Sequence, residues 1–270
     1  MIALYILLGV LCALILLYLL LFVRPKGKKP EDDRLLCEYA HRGLHGENIP
    51  ENSLQAFAKA VEKGFGIELD VQLSSDGVVM VFHDYSLARM TGKEEKLKNL
   101  TAGELQALSL NGTEQTIPTF SQVLSLVNGR VPLLVELKGE DLNAALCPKV
   151  AELLKDYQGP YCIESFNPLL VKNMKKYLPH VYCGQLYTNV CRDKKKYSPL
   201  NLILSSMGFN FLARPNFIAY NYKDRNSLPV KLATRFYKAP RFVWTVRTKE
   251  ELALCRENNE YAIFEHIERI

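Results

Sequence analysis

Four short stretches set ionisable side chains at the ends of apolar runs: Ala40-His41-Arg42-Gly43, Glu68-Leu69-Asp70, Phe82-His83-Asp84 and Glu136-Leu137-Lys138-Gly139. Residues i and i+2 of an extended chain share a face, so Glu68 and Asp70 point the same way, and Glu136 can join them from a neighbouring strand. Three carboxylates repel one another unless a cation lies between them, and a site built only from oxygen selects a hard ion, Mg²⁺ or Ca²⁺. An isolated Glu-x-Asp would more simply pair with a basic neighbour. Two histidines and a third carboxylate in equivalent positions favour the metal. His41 and His83 are two of only five histidines, and beside an ion that prefers oxygen they read as a general acid and a general base. Arg42 and Lys138 offer a planar fork and a point charge to phosphate oxygens, and both can also pair with the carboxylates. Phe166, in Ser165-Phe166-Asn167, and Trp244, in Val243-Trp244-Thr245-Val246, end later strands. They form either an apolar wall for the carbon part of a substrate or filling. Asn52 or Ser53 suits a helix N-cap, and Glu51 has no evident role.

These groups need rigid elements behind them. Short runs rich in Val, Ile and Leu recur at 36–40, 66–71, 78–82, 132–137, 161–164, 181–186, 217–220, 242–246 and 261–264. Helical patterns fall between most of them, at 52–63, 101–108, 142–156, 168–176 and 249–257. Alternating strand and helix predicts an α/β fold with a parallel sheet, and residues 35–270 have the size of a TIM-type (β/α)8 barrel. No repeat, low-complexity tract or second linker divides them. Nine strand candidates are one too many for eight places. The link from Val71 to Gly77 is too short for a parallel crossover, and Asp76-Gly77 is a strong two-residue hairpin turn. A tight turn there would set Asp70 opposite His83 on one face.

Ahead of the barrel, residues 1–23 are apolar except for Gly9 and carry no charge. As a helix they would rise about 35 Å, enough to cross a bilayer core. No basic n-region and no A-x-A site point to a cleaved signal peptide. Residues 24–34 form a linker with Pro25, Gly27 and Pro30, and with Arg24, Lys26, Lys28 and Lys29 against the membrane end. The positive-inside rule then predicts a single-pass membrane protein with its catalytic domain in the cytoplasm. The seven scattered cysteines form no C-x-x-C pair, as expected in a reducing compartment. Disorder and a collagen-like fibre are excluded by composition, and a net charge of +5 gives no reason to expect nucleic acid as a partner.

Taken in order and spacing, His41-Arg42-Gly43, Pro50-Glu51-Asn52-Ser53, Glu68-Leu69-Asp70, Ser75-Asp76-Gly77 to His83-Asp84, Glu136-Leu137-Lys138 and Trp244-Thr245-Val246 resemble the glycerophosphodiester phosphodiesterase family. The resemblance covers nearly all of residues 36–264. It implies a barrel that cleaves glycerophosphodiesters to glycerol 3-phosphate and an alcohol with a divalent cation. His41 and His83 would be the acid/base pair, Glu68, Asp70 and Glu136 the metal ligands, and Arg42 and Lys138 the phosphate contacts. Two departures stand out. Where members commonly end the last strand with Thr-Asp, this chain reads Phe264-Glu265-His266, and the insertion at 85–116 is short, so the mouth should be open. Two rivals follow: a lysophospholipase D acting on membrane lysophospholipids, and a non-catalytic barrel that binds a phosphorylated ligand.

Overall fold

The computed structural model describes residues 1–139 and 145–267. Its strands are β1 Tyr39–His41, β2 Gly66–Leu73, β3 Val79–Val81, β4 Leu133–Leu137, β5 Tyr161–Ser165, β6 Tyr182–Tyr187, β7 Phe217–Asn221, β8 Arg241–Val246 and β9 Tyr261–Phe264. All but β3 run parallel and close into a ring in the order β1-β2-β4-β5-β6-β7-β8-β9, with β9 returning to β1. This is the expected barrel. Both faces of each strand are covered, which is why the strands read as near-continuous apolar runs.

β2 has three neighbours. β4 runs along one edge, while the other edge is shared: Gly66, Ile67 and Glu68 pair with β1, and Val71, Gln72 and Leu73 pair with antiparallel β3. The turn between β2 and β3 holds three residues, not two. Gly77 N–H donates to Ser74 O at 3.1 Å, and Ser74 N–H to Val78 O at 3.0 Å. Gly77 takes φ +79°, the left-handed conformation that closes a three-residue hairpin. The extra residue shifts the register by one, so Phe82, not His83, lies opposite Asp70, with its N–H on Asp70 O at 2.9 Å. His83 lies beyond the ladder.

The core has two layers. Inside the ring, Tyr39, Leu134, Cys162, Tyr182, Phe217 and Phe242 fill the lower barrel. Gly184 is required there, because a Cβ at that position would fall 2.1 Å from the Phe217 ring. Between ring and helices, alternate residues such as Leu69, Val71, Val135 and Ile163 pack with Phe57, Val150 and Val171. The helix Leu54–Lys63 begins at Ser53, whose Oγ accepts from Ala56 N at 3.1 Å, and stops at left-handed Gly64. The expected helix over 142–156 is Leu146–Lys155, and its first residues lie outside the described ones. Between β6 and β7 the chain forms short helices, Val190–Lys194, Pro199–Ser205 and Asn210–Ala213, where the sequence pattern assigns none.

The N-terminal helix Ile2–Phe22 has 21 residues, a mean hydropathy of 2.9 and no buried position along its most apolar stretch, and it is long and apolar enough to cross a membrane. Its last turn is fastened to the β6–β7 segment. Tyr18 Oη donates to Ser206 O at 2.7 Å, Asn210 Nδ2 donates to Val23 O at 2.7 Å, and the Phe22 and Phe211 rings meet edge-on with centroids 5.1 Å apart. Val23 is fully buried and Lys26 N–H donates to Pro215 O at 2.8 Å, so the start of the expected linker lies along the barrel.

Candidate active site

Parallel register does most of the assembly. It sets Glu68 beside His41, Asp70 beside Glu136, and Glu136 beside Glu164. One oxygen from each of Glu68, Asp70 and Glu136 lies within 4.8 Å of the others, and all three residues are buried. Their environments pull them apart. Burial pushes the Glu68 carboxyl well above its ordinary range, and the charges of Asp70, Glu164 and Glu136 push it the same way. Burial likewise raises Glu136 to about 7, against the pull of Lys138. At Asp70 burial is outweighed by Lys138, His83 and Arg42 and by a hydrogen bond from Asn52 Nδ2 at 2.8 Å, so its carboxyl stays low. Lys138 Nζ lies 3.0 Å from Asp70 Oδ1 and 2.9 Å from Glu136 Oε1. An all-oxygen set in which two of the three carboxyls, Glu68 and Glu136, are driven to hold protons fits a hard divalent ion, which would relieve the same repulsion.

The two histidines flank this cluster. His41 Nδ1 donates to Glu265 Oε2 at 2.9 Å, and its Nε2 lies 3.9 Å from Glu68 Oε2. Burial lowers His41 to about 4, although the Glu265 bond works the other way, so its ring is neutral at pH 7. His83 Nδ1 donates to Asp84 Oδ1 at 2.6 Å. Its pKa is also lowered, first by burial and then by Lys138 and Arg42, with Asp70 opposing. In both rings the carboxylate holds Nδ1–H and leaves Nε2 as the atom free to exchange a proton. The register places His83 past β3, and the side chain of Gln72 secures the segment: its Nε2 donates to Phe82 O at 2.8 Å and Asp84 O at 2.9 Å.

Arg42 reaches Glu51 Oε1 at 2.8 Å through Nη1, and its Nε lies 3.6 Å from Asp70 Oδ2. Glu51 also takes Arg89, which in turn pairs with Asp84, so one chain of ion pairs joins the two histidine arms. Ser53 is the N-cap, whereas Asn52 turns its side chain inward to Asp70. Phe166 and Trp244 meet edge-on with centroids 5.5 Å apart at the mouth, Phe166 half exposed and Trp244 Nε1 bonded to Ala219 O at 3.1 Å.

Three contributors escape a reading of the sequence. Gln72 shows no signal beyond its polarity in an apolar strand. Glu265 stands in the altered end of the last strand, where the departure from Thr-Asp marks it without naming a partner. Glu164 is buried with Oε2 lacking any hydrogen-bond partner, and burial followed by the charges of Glu136 and Asp70 raises its pKa well above normal. An acidic residue at an inward position beside Glu136 was the available signal.

Barrel enzymes collect their reactive groups where the strands end, and strands β1, β2, β4 and β9 with the loop after β3 do so here. Within that class the chain belongs to the glycerophosphoryl diester phosphodiesterase family, whose sequence profile matches residues 41–266. It is 36% identical over 159 residues to a glycerophosphodiester phosphodiesterase of Caldanaerobacter subterraneus subsp. tengcongensis, covering 55% of this chain and 65% of that protein. It is 33% identical over 132 residues to the Rattus norvegicus protein named lysophospholipase D GDPD1, covering 44% and 41%. The chain thus spans about two-thirds of the first relative's length and less of the second. Its fold is shared with an Oleispira antarctica phosphodiesterase solved with the product sn-glycerol-3-phosphate, with TM-score 0.70, 22% identity and coverage of 85% and 92%. A glycerophosphodiester phosphodiesterase of Thermotoga maritima gives TM-score 0.65 at 27% identity over 84% and 94%.

Proposed function

We propose that this chain is a membrane-held, metal-dependent phosphodiesterase that converts glycerophosphodiesters to glycerol 3-phosphate and an alcohol during phospholipid turnover. The observation that carries this is the convergence of Glu68, Asp70 and Glu136 between two histidines, each fixed by its own carboxylate. Mg²⁺ or Ca²⁺ held by those three residues would supply charge to the phosphate oxygens. Arg42 and Lys138 orient the phosphate from either side of Asp70. His41, neutral at pH 7, takes the proton of the attacking hydroxyl, and Nδ1–H···Glu265 stabilises the imidazolium that forms. His83, acting from its imidazolium form with Nδ1–H held by Asp84, gives its Nε2 proton to the departing alkoxide and returns to the neutral ring. Phe166 and Trp244 border the carbon part of the substrate.

Retention of the N-terminal helix is supported by the contacts of its last turn with Ser206, Asn210 and Phe211. The basic residues 24–29 on the barrel side favour a cytoplasmic site. The domain division is accordingly 1–23 anchor, 24–34 basic segment and 35–270 catalytic barrel. Cleavage of lysophospholipids is a second reading, favoured by the same docking and by likeness to the proteins named lysophospholipase D. A panel of glycerophosphodiesters and lysolipids, assayed with Mg²⁺, Ca²⁺ and chelator, tests both. Metal-dependent release of glycerol 3-phosphate is expected for diesters; binding without turnover would instead leave the non-catalytic barrel.

A further inference from the structure

The seam where β9 closes on β1 brings together a second group of side chains. Ala40 pairs with Phe264 across it, so the loop after β1, with His45, lies beside the end of β9, with Glu265 and His266. One ligand atom from each of these three residues lies within 4.8 Å of the others. The His45 and His266 rings meet edge-on at 79°, with centroids 4.9 Å apart. His45 Nε2 lies 3.7 Å from Glu265 Oε2, too far for a hydrogen bond, and it is shut off from solvent with no hydrogen-bond partner among the described residues. A buried imidazole nitrogen in that state is costly unless something else meets it. His266 is exposed, which leaves a way in for a small ion.

Two imidazoles and a carboxylate are a donor set of three-ligand zinc sites, which keep a fourth position for water. Donor atoms around a tetrahedral Zn²⁺ lie about 3.4 Å apart, close to the 3.7 Å between His45 and Glu265. Imidazole suits zinc and its first-row neighbours, whereas the all-oxygen set of Glu68, Asp70 and Glu136 suits Mg²⁺ or Ca²⁺. The two groups therefore select different ions. His41 lies between them: its Nε2 is 3.9 Å from Glu68 Oε2, and its Nδ1 is bonded to Glu265 Oε2 at 2.9 Å. Arg247 Nε takes the other oxygen of Glu265 at 2.7 Å. Oε2 is thus the atom that an ion and His41 would have to share.

We propose that His45, Glu265 and His266 form a second metal site that takes Zn²⁺, and that a bound Zn²⁺ draws Glu265 Oε2 away from His41 and halts hydrolysis. The site stands on its own geometry. Its effect on turnover rests on the phosphodiesterase reading, in which Glu265 stabilises the imidazolium of His41. With the charge of that carboxylate spent on the ion, and a new positive charge beside the ring, His41 no longer accepts the proton of the attacking hydroxyl.

The full chain, kept in saturating Mg²⁺ or Ca²⁺, is titrated with Zn²⁺ by calorimetry and with Co²⁺ by visible absorption, while hydrolysis of glycerophosphocholine is followed alongside. One equivalent of Zn²⁺ should bind without displacing Mg²⁺, Co²⁺ should show the visible bands of a site with nitrogen ligands, and turnover should fall by about 10² or more. His266→Ala, at an exposed position, and His45→Gln should each need at least about tenfold more Zn²⁺ for the same binding and inhibition, with turnover in Mg²⁺ alone unchanged. His266→Ala decides the matter if His45→Gln does not fold. Zn²⁺ that binds only by displacing Mg²⁺, or that binds the variants as tightly as the wild type, overturns the site. Full turnover with Zn²⁺ bound overturns its link to His41. A wild type that hydrolyses no diester in Mg²⁺ or Ca²⁺ overturns the phosphodiesterase reading, and the calorimetric and Co²⁺ titrations still decide the site.

Discussion

The two sides of the barrel mouth are built on opposite principles. On the side of β1, β2 and β4, nearly every group is ionisable and most are held by another: His41 by Glu265, His83 by Asp84, Asp84 and Glu51 by Arg89, Asp70 by Asn52 and Lys138. On the side of β5 and β6, Phe166 and the leucines of 199–213 meet open space and carry little charge. A reacting phosphate needs atoms fixed to a fraction of an ångström in a dry, charged surround. An alkyl chain needs only surface, and tolerates imprecision.

Substitutions should therefore separate the two sides by the kind of loss as well as its size. His41→Ala or His83→Ala is expected to lower kcat on a glycerophosphodiester by about 10² to 10⁴, with little change in thermal midpoint, as steady-state assays and calorimetry would show. Gly184→Ala strikes beneath the apolar side, where the new methyl meets Phe217. It should cost about 1–3 kcal/mol of stability in denaturant unfolding, while cation binding by the surviving folded protein is kept. If it instead removed cation binding, the two sides would not be independent.

The charged side should also respond to pH alone. Glu136 is raised to about 7, so below that pH the free site holds a proton that an incoming cation must displace. Cation affinity should fall about tenfold for each pH unit below 7, with proton release visible in calorimetric titrations in buffers of different ionisation enthalpy. A flat profile would break the picture of mutually repelling carboxylates. The smallest effect belongs to the scaffold: Ser53→Ala removes the cap of Leu54–Lys63 and should cost about 1 kcal/mol, read as a lower unfolding midpoint.

Legibility in the sequence followed the same divide. Glu68, Asp70 and Glu136 could be found because strand periodicity alone decides which way they face, and every expected strand exists within a few residues of its expected bounds. Glu265 could not be paired with His41, since that bond spans 224 positions and forms only when β9 closes the ring against β1. The β2–β3 register was missed by one because Asp76-Gly77 fits both two- and three-residue turns, and only the Ser74–Val78 pairing decides. The helices of 189–213 are four to seven residues long, too short to hold by propensity, and tertiary contacts make them.

β3 stands outside the ring, and the stretch that follows it folds on a small core of its own, with Met80, Phe82, Leu87, Leu97 and Leu105 at its centre. The barrel is thus complete without the strand that delivers His83. Val79 and Val81 of β3 still pack in the main core, so it is the stretch after Phe82, held where Gln72 binds the carbonyls of Phe82 and Asp84, that should bear substitution with least effect on the barrel.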